Sequence, residues 1–398
     1  MASRTRSDSL ASAGRITIRD VARMAGVSPA VVSVVLNGAS PRTAHVRVGA
    51  AARERVLAAA TRLNYRPNAA ARALSGHSQL IGVILDKPSQ HLGFEQHYVV
   101  EIQRALRALG YQVLLDTAEQ EPETLARALE ECARYSVAGV LLVGWWARSD
   151  LLRTYGPPAL AAAGAPPCVV IGTDVTGVGD AAVGRDNYGA ARMATAHLAA
   201  LGHRRFLAMG LGLRRLAACY DALAECGLSA DAVEYWPPPL EPEQRSREPG
   251  STRSHGPSPD QPDWQFARGR WIVEQVFRDA ISGRTRFPGS SDRLPTAIVA
   301  LNDEYAAGAL SGLQALGLRV PEDVALVGCD NLPFGAYLSV PLTTIDWQVP
   351  VIVSRALQHL TELIRTGRRG EAREYRREVV PAKLIVRRSC GAYLGRRH

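Results

Sequence analysis

The sequence predicts an α/β protein in two parts: a basic head of three short helices, then a longer region of two α/β lobes. Three observations lead there. The excess positive charge sits at one end of the chain. Apolar residues at that end recur at helical spacing. From Leu80 onward the rhythm changes to short apolar runs alternating with amphipathic helices.

The chain has 398 residues and a formal net charge of +9. Residues 1–76 hold twelve arginines against Asp8, Asp20 and Glu54, so the head carries the whole +9 and the remainder is neutral. A basic head on a neutral body points to a polyanion that only the head meets. A solvated basic tail is the competing reading, but the arginines are interleaved with helix-period apolar residues. Met1 to Gly14 is rich in Ser, Ala and Arg and lacks an apolar signal core, so residues 1–14 read as a disordered arm of a cytoplasmic protein. No apolar run approaches the roughly 18–20 residues of a membrane span. Six cysteines form no CxxC or other metal-ligand spacing, and buried reduced thiols are expected, with no metal and no cofactor.

Within the head, Thr17 is a good N-cap for a helix over Ile18–Ala25, whose inner face is Val21, Ala22 and Ala25. Gly26-Val27 makes a tight turn. Ser28 then caps a second helix through about Asn37, with Pro29 at the first helical position, where its missing N–H costs nothing. A third helix over about Ala50–Leu63 carries Val56, Ala59, Ala60 and Leu63. Helix, glycine turn, helix is the helix-turn-helix pattern. The bridge follows, from Asn64-Tyr65-Arg66-Pro67 to Leu74. Asn68 to Leu74 suffices for about two helical turns, too few to persist alone, so this helix forms conditionally.

The apolar runs beyond are Leu80–Leu85, Gln112–Leu115, Gly139–Val143, Cys168–Ile171, Phe206–Met209, Ala297–Ala300 and Val324–Val327. Between the first two, Ile102, Ala105, Leu106 and Leu109 mark a helix. Strand–helix alternation argues parallel sheets with right-handed crossovers, and seven or more strands over about 300 residues fit two lobes. The stretch 237–263 is rich in Pro, Ser, Gly and charge, and reads as a flexible surface insertion. Trp145-Trp146 follow a strand's C-terminal end, where α/β clefts bind ligands; core packing or an interface is the alternative.

The head motifs Thr17-Ile18-Arg19-Asp20-Val21-Ala22, Ala25-Gly26-Val27-Ser28, Val32-Ser33 and Leu36-Asn37-Gly38 resemble the N-terminal signature of the lactose-repressor (LacI-type) family. The likeness continues through Asn64-Tyr65-Arg66-Pro67-Asn68, Ala71-Arg72-Ala73-Leu74, Leu201-Gly202-His203-Arg204-Arg205 and Asn302-Asp303. It closes with Val327-Gly328-Cys329-Asp330-Asn331 and Pro341-Leu342-Thr343-Thr344-Ile345. It covers residues 17 to about 390 in register apart from the insertion.

The resemblance implies a helix-turn-helix domain over 15–66, a hinge helix and linker over 67–78, and a tail over 391–398. Residues 79–390 would form a two-lobed core like a periplasmic binding protein, which binds effector and dimerises. It implies a non-enzymatic regulator, a repressor acting as a homodimer on pseudo-palindromic double-stranded operator DNA, tuned by a sugar-like small molecule. The head departs from the family's pattern in three places. About five extra residues lie between Asn37 and Val48, Gly49 replaces a Ser cap, and Val34 stands where many relatives carry a base-reading Arg. In the core, a cleft loop between Gly210 and Arg214 is shortened.

Thr17, Ser28, Ser33 and Asn37 can hydrogen-bond phosphates. Pro29, Ala30 and Val34 fall where the family reads bases, and being apolar they would read thymine methyls or shape. Otherwise specificity comes from the hinge. There Tyr65, Asn68 and Ala71 match the family's DNA-contacting run, and Leu74 matches its minor-groove wedge. The bland alternative for Leu74 is packing on the core. For the cleft, the resemblance nominates Asp86, Arg215, Asn302, Asp330 and Trp347: acceptors, donors and a stacking face. Each has a structural alternative: Asp330 capping a turn, Asn302 bracing a strand end, Trp347 in the core. Two rival classes share an α/β scaffold. A transport-type solute-binding protein needs no basic head, and no P-loop, GxSxG, HExxH or GxGxxG stands in the context an enzyme would need.

Overall fold

The computed structural model describes residues 16–37, 46–65, 78–86, 92–118, 122–144, 166–173, 179–238, 257, 263–281, 294–366 and 375–394.

The head folds as α1 (Ile18–Ala25), α2 (Pro29–Asn37) and α3 (Ala50–Arg62). At the start of α1 the Asp20 carboxylate accepts both the backbone N–H and the hydroxyl of Thr17, at 2.9 and 2.7 Å. Those bonds hold Asp20 below the usual carboxylate range. Gly26 ends the helix at φ 64, a left-handed conformation that glycine adopts without a Cβ penalty. Arg55 of α3 donates to the Ala25 carbonyl at 3.1 Å and ties the two helices together. Inside lie Val21, Ala22, Ala25, Val32, Val56, Ala59 and Ala60, with Val35, Leu36 and Leu63 partly buried around them.

Lobe 1 is a six-stranded parallel sheet in the order β11-β5-β4-β3-β1-β2. Its strands are β1 (Leu80–Asp86), β2 (Gln112–Ala118), β3 (Gly139–Gly144), β4 (Cys168–Thr173), β5 (Ala181–Arg185) and β11 (Arg376–Val380). Helices α4 (Leu92–Ala108) and α5 (Pro122–Arg134) make crossovers. Lobe 2 is a four-stranded parallel sheet, β7-β6-β8-β9, from Val233–Trp236, Phe206–Met209, Ala297–Ala300 and Ala325–Val327. Its helices are α6 (Asn187–Ala200), α7 (Leu213–Glu225), α8 (Trp264–Ile281) and α9 (Asp303–Ala315). A short antiparallel ribbon pairs β10 (Thr344–Asp346) with β12 (Lys383–Ile385). Helix α10 (Val349–Thr366) returns the chain to lobe 1, where it packs on α4 and on β3, β4 and β5. Gly269 and Gly308 let α8 and α9 approach backbone to backbone: a Cβ on either would run into the carbonyl of Tyr305 or Phe266.

The chain passes between the lobes three times, at Asp186 after β5, at Trp347-Gln348 after β10, and at Pro381-Ala382 after β11. Two crossings are clasped by the Gln348 side-chain amide, which donates to the Pro381 carbonyl at 2.6 Å. All seven apolar runs form strands, with β9 beginning at Ala325 rather than Val324. Five further strands form from stretches too short, too small or too polar to stand out. Ile102 and Leu106 are buried as expected, but Leu109 lies past the end of α4 and is 53% exposed. Cys226 is exposed and the other five cysteines are buried and free. Arm 1–14, hinge residues Asn68, Ala71 and Leu74, Trp145-Trp146 and nearly all of 237–263 lie outside the described residues.

Candidate effector cleft and nucleic-acid face

On the head, Thr17, Ser28, Pro29 and Ala30 are exposed at the first turns of α1 and α2, while Ser33 and Val34 are half-buried. Ser28 Oγ accepts from the Val31 N–H at 3.4 Å, so Ser28 does cap α2. Gly49 caps α3 with no side-chain bond. Thr17's single hydroxyl proton is already given to Asp20, which leaves its backbone region and oxygen as the outward features. Asn37 ends α2. Tyr65 packs half-buried against the head's apolar cluster, and its N–H donates to the Ala60 carbonyl at 2.9 Å.

In the core, four of the five nominated cleft residues cluster near the interlobe crossings. Asp330 follows β9 with φ 116 and Asn331 follows it with φ 51, two consecutive left-handed residues without glycine. Such strain persists only where surroundings over-determine it. Here the Asp330 N–H donates to the Ile345 carbonyl at 2.9 Å, the Asn331 N–H to Thr344 Oγ1 at 3.2 Å, and Arg387 donates to Asn331 Oδ1 at 2.7 Å. Asp330 Oδ1 accepts from the indole N–H of Trp347 at 2.6 Å. Burial pushes the Asp330 carboxyl up to about 6, against the downward pull of that bond and of the Arg185, Arg215 and His97 charges.

Trp347 sits on the second crossing and is 1% exposed. Its ring is covered by two guanidiniums, Arg185 at 5.1 Å and Arg215 at 5.4 Å from the centroid. In this state the indole is a platform under two cations rather than an open stacking face. Arg215, on α7, donates through Nε and Nη2 to Asn187 Oδ1 at 3.2 and 2.7 Å, and through Nη1 to the Leu301 carbonyl at 2.9 Å. It thereby ties the first crossing to the end of β8. Asn302 caps α9, its Oδ1 accepting from the Tyr305 N–H at 2.9 Å while its amide donates to Gln265 and Glu304. Asp86 ends β1, three strands from β5, which is roughly 14 Å at ordinary strand spacing.

Three polar residues that the sequence reading passed over complete the cleft. Arg185 and Asn187 flank the first crossing, at the end of a strand of small residues that carries no apolar run. Asp303 lies fully buried behind Asp330, accepting the Thr344 hydroxyl at 2.5 Å and the Leu332 N–H at 2.7 Å. Burial, and then the Asp330 charge, push its carboxyl up to about 7. The usable signal was positional: Arg185, Asn302 and Asp330 all stand at or just past the C-terminal ends of parallel strands, where α/β folds collect ligand-binding groups.

A helix-turn-helix joined to a two-lobed binding core defines a DNA-binding transcriptional regulator whose DNA affinity is modulated by a small molecule. Comparison with known proteins agrees. Residues 17–68 match the profile of bacterial regulatory proteins, lacI family, and residues 195–390 match a periplasmic binding protein-like domain. The HTH-type transcriptional regulator CelR of Thermobifida fusca is 30% identical over 392 residues, covering 94% of this chain and 98% of that protein. The chain therefore belongs to the lacI family of bacterial regulatory proteins. The transcriptional repressor PurR of Haemophilus influenzae (strain PittEE) is 27% identical, with 95% and 99% covered. Among solved structures, the Lac repressor dimer bound to operator and the anti-inducer ONPF superposes with TM-score 0.66 at 24% identity, with 94% and 99% covered. A CelR–cellobiose complex superposes with TM-score 0.57 at 25% identity, with 94% and 100% covered. Among the described residues no helix is long and apolar enough to cross a membrane, and no His/Cys/Asp/Glu group could hold a metal.

Proposed function

We propose that this regulator is a repressor, working in the cytoplasm as a homodimer on pseudo-palindromic operator DNA. Its cleft at Arg215, Asp330 and Trp347 would take a hydroxylated, sugar-like effector. The supporting relatives are a repressor, PurR, and a regulator seen with cellobiose, CelR. Residues 15–66 form the reading head, 67–78 the hinge and 79–390 the sensing and dimerising core. Phosphate contacts come from Thr17, Ser28, Ser33 and Asn37. Shape or thymine-methyl readout comes from Pro29, Ala30 and Val34, and hinge contacts come from Tyr65, Asn68, Ala71 and the wedge Leu74.

One observation carries this reading: Trp347, the residue bonded to Asp330, is itself part of an interlobe crossing. A ligand hydroxyl that takes over an Asp330 lone pair therefore acts directly on the segment about which the lobes turn. Asp86 and Asn302 contribute from the far strand and the α9 cap. The test is an operator selected from a random DNA pool, titrated by fluorescence anisotropy with and without candidate sugars. A selected site without two-fold symmetry would contradict the dimeric reading, and indifference of operator affinity to every cleft ligand would contradict the sensing one.

A further inference from the structure

One buried carboxylate is tied to the turn that carries Asp330 from both sides. Asp303 is the first residue of α9 and is completely buried. Its N–H donates to the Cys329 carbonyl at 2.7 Å. Its Oδ2 accepts from the Leu332 N–H at 2.7 Å, and its Oδ1 from the Thr344 hydroxyl at 2.5 Å. Thr344 Oγ1 in turn accepts from the Asn331 N–H at 3.2 Å, so the carboxylate reaches Asn331 through one hydroxyl. Gly328 leaves room for this arrangement, since a Cβ there would run into Asp303 Oδ1. Residues 329, 331 and 332 are thus fixed on Asp303, while the Asp330 side chain between them turns to the Trp347 indole. Asp330 and Asn331 hold φ 116 and 51, conformations that residues with a Cβ leave when nothing restrains them.

We propose that Asp303 is the positioning residue of the effector cleft: it pins the chain on either side of Asp330 and so aims the Asp330 carboxylate at Trp347 and at the ligand. Each Asp303 oxygen already accepts a donor from the chain, and none of its surface is exposed, so it acts on a ligand only through Asp330. It also governs both partners of the Asp330–Trp347 bond. Thr344 lies on β10, three residues before Trp347, on the strand that leads into the second crossing. One carboxylate therefore sets the turn that carries the acceptor and the strand that carries the donor. The inference rests on Asp330 serving the effector cleft, as proposed above.

The test needs no ligand. Indole N–H signals of the full chain are recorded by NMR at about pH 8, above the titrations of Asp303 at about 7 and Asp330 at about 6. Trp347→Phe and Trp236→Phe assign two of them. The Trp347 proton, 2.6 Å donor to acceptor from a carboxylate, is strongly deshielded in the wild type. Trp236 Nε1 donates to Glu234 at 3.0 Å on β7, the far edge of the lobe 2 sheet from β9, and reports whether that lobe is intact. Asp303→Ala should move the Trp347 signal upfield and leave Trp236 in place. Asp303→Asn keeps the size but offers one acceptor atom to two donors, and should move Trp347 part of the way. If Asp303→Ala fails to fold, by circular dichroism, the asparagine variant decides on its own. An unmoved Trp347 signal in a folded variant overturns the assignment, because the turn then holds itself. Trp236 moving as far as Trp347 overturns it too, because Asp303 then only stabilises lobe 2, and so does failure of both variants to fold. The sugar titrations of operator binding are separate: indifference to every sugar, with Trp347 displaced in the variants, refutes the sensing reading and leaves the positioning of Asp330 standing.

Discussion

The head and the cleft solve opposite problems. The head hides seven small apolar residues and leaves its polar and charged groups outside, so the functional surface is what remains after the core has formed. The cleft buries charge: Arg185, Arg215 and Asp303 lie inside, held by hydrogen bonds, an indole and a strained turn. A surface that binds a polyanion needs only placement of many weak contacts, whereas a site that discriminates among small molecules needs few groups, dehydrated and fixed. Losing one contact should therefore weaken the head gradually and the cleft abruptly.

The largest expected effect comes from separating the two regions. A chain lacking residues 1–76 should remain folded and dimeric yet lose specific operator binding by about a thousandfold or more. Full-length binding should fall steeply as salt rises, because phosphate contacts release counterions. Gel-shift titration from 50 to 200 mM salt checks both, and a truncated chain that still selects its operator would erase the division. Next in size is Leu74→Ala, which should weaken operator binding by about 1–3 kcal/mol, the cost of one specific contact, while leaving melting of the core unchanged. A core that melts lower would mean that Leu74 packs against it.

The cleft has its own signature in pH. Asp303 and Asp330 titrate at about 7 and about 6 in the folded chain, above the ordinary value of about 3.9 in the unfolded one. Over that window the folded state keeps protons that the unfolded chain has released. Stability is therefore greatest below about pH 4 as far as these groups decide, declines as pH rises to about 7, and then levels. That is the reverse of a salt-bridged carboxylate. Asp303→Asn should flatten the decline in a series of thermal melts, and an unchanged slope would show that Asp303 is ionised throughout. The smallest effect belongs to the head. Ser28→Ala removes a cap whose bond is long, 3.4 Å, and should cost about 0.5 kcal/mol by urea denaturation.

Legibility in the sequence followed the same division. The three head helices are local objects: their caps Thr17 and Ser28, their turn at Gly26 and their apolar period all lie within a few residues, and each was found where expected. The seven core strands that carry long apolar runs were equally plain. Ala181–Arg185 was missed because a strand of alanine, valine and glycine buried on both faces shows neither alternation nor bulk. β10, β11 and β12 were missed because short or edge strands owe their state to partners distant in the chain. The cleft candidates were legible only through the resemblance, because their grouping is not local. Arg185, Arg215, Asp330 and Trp347 span more than 160 residues of sequence and meet only because the chain crosses between lobes three times. Resemblance to the family nominated Asp86, Arg215, Asn302, Asp330 and Trp347. It could not supply Arg185, nor the fact that Trp347 is roofed by two guanidiniums.

The central claim is that head and cleft are coupled through the crossings, so that ligand and operator each report on the other. Calorimetric titration measures it directly: a sugar that shifts operator affinity is titrated into protein alone and into protein saturated with its selected operator. The account predicts two different affinities, and their ratio must equal the factor by which the same ligand changes operator affinity. Equal ligand affinity with and without operator would contradict it.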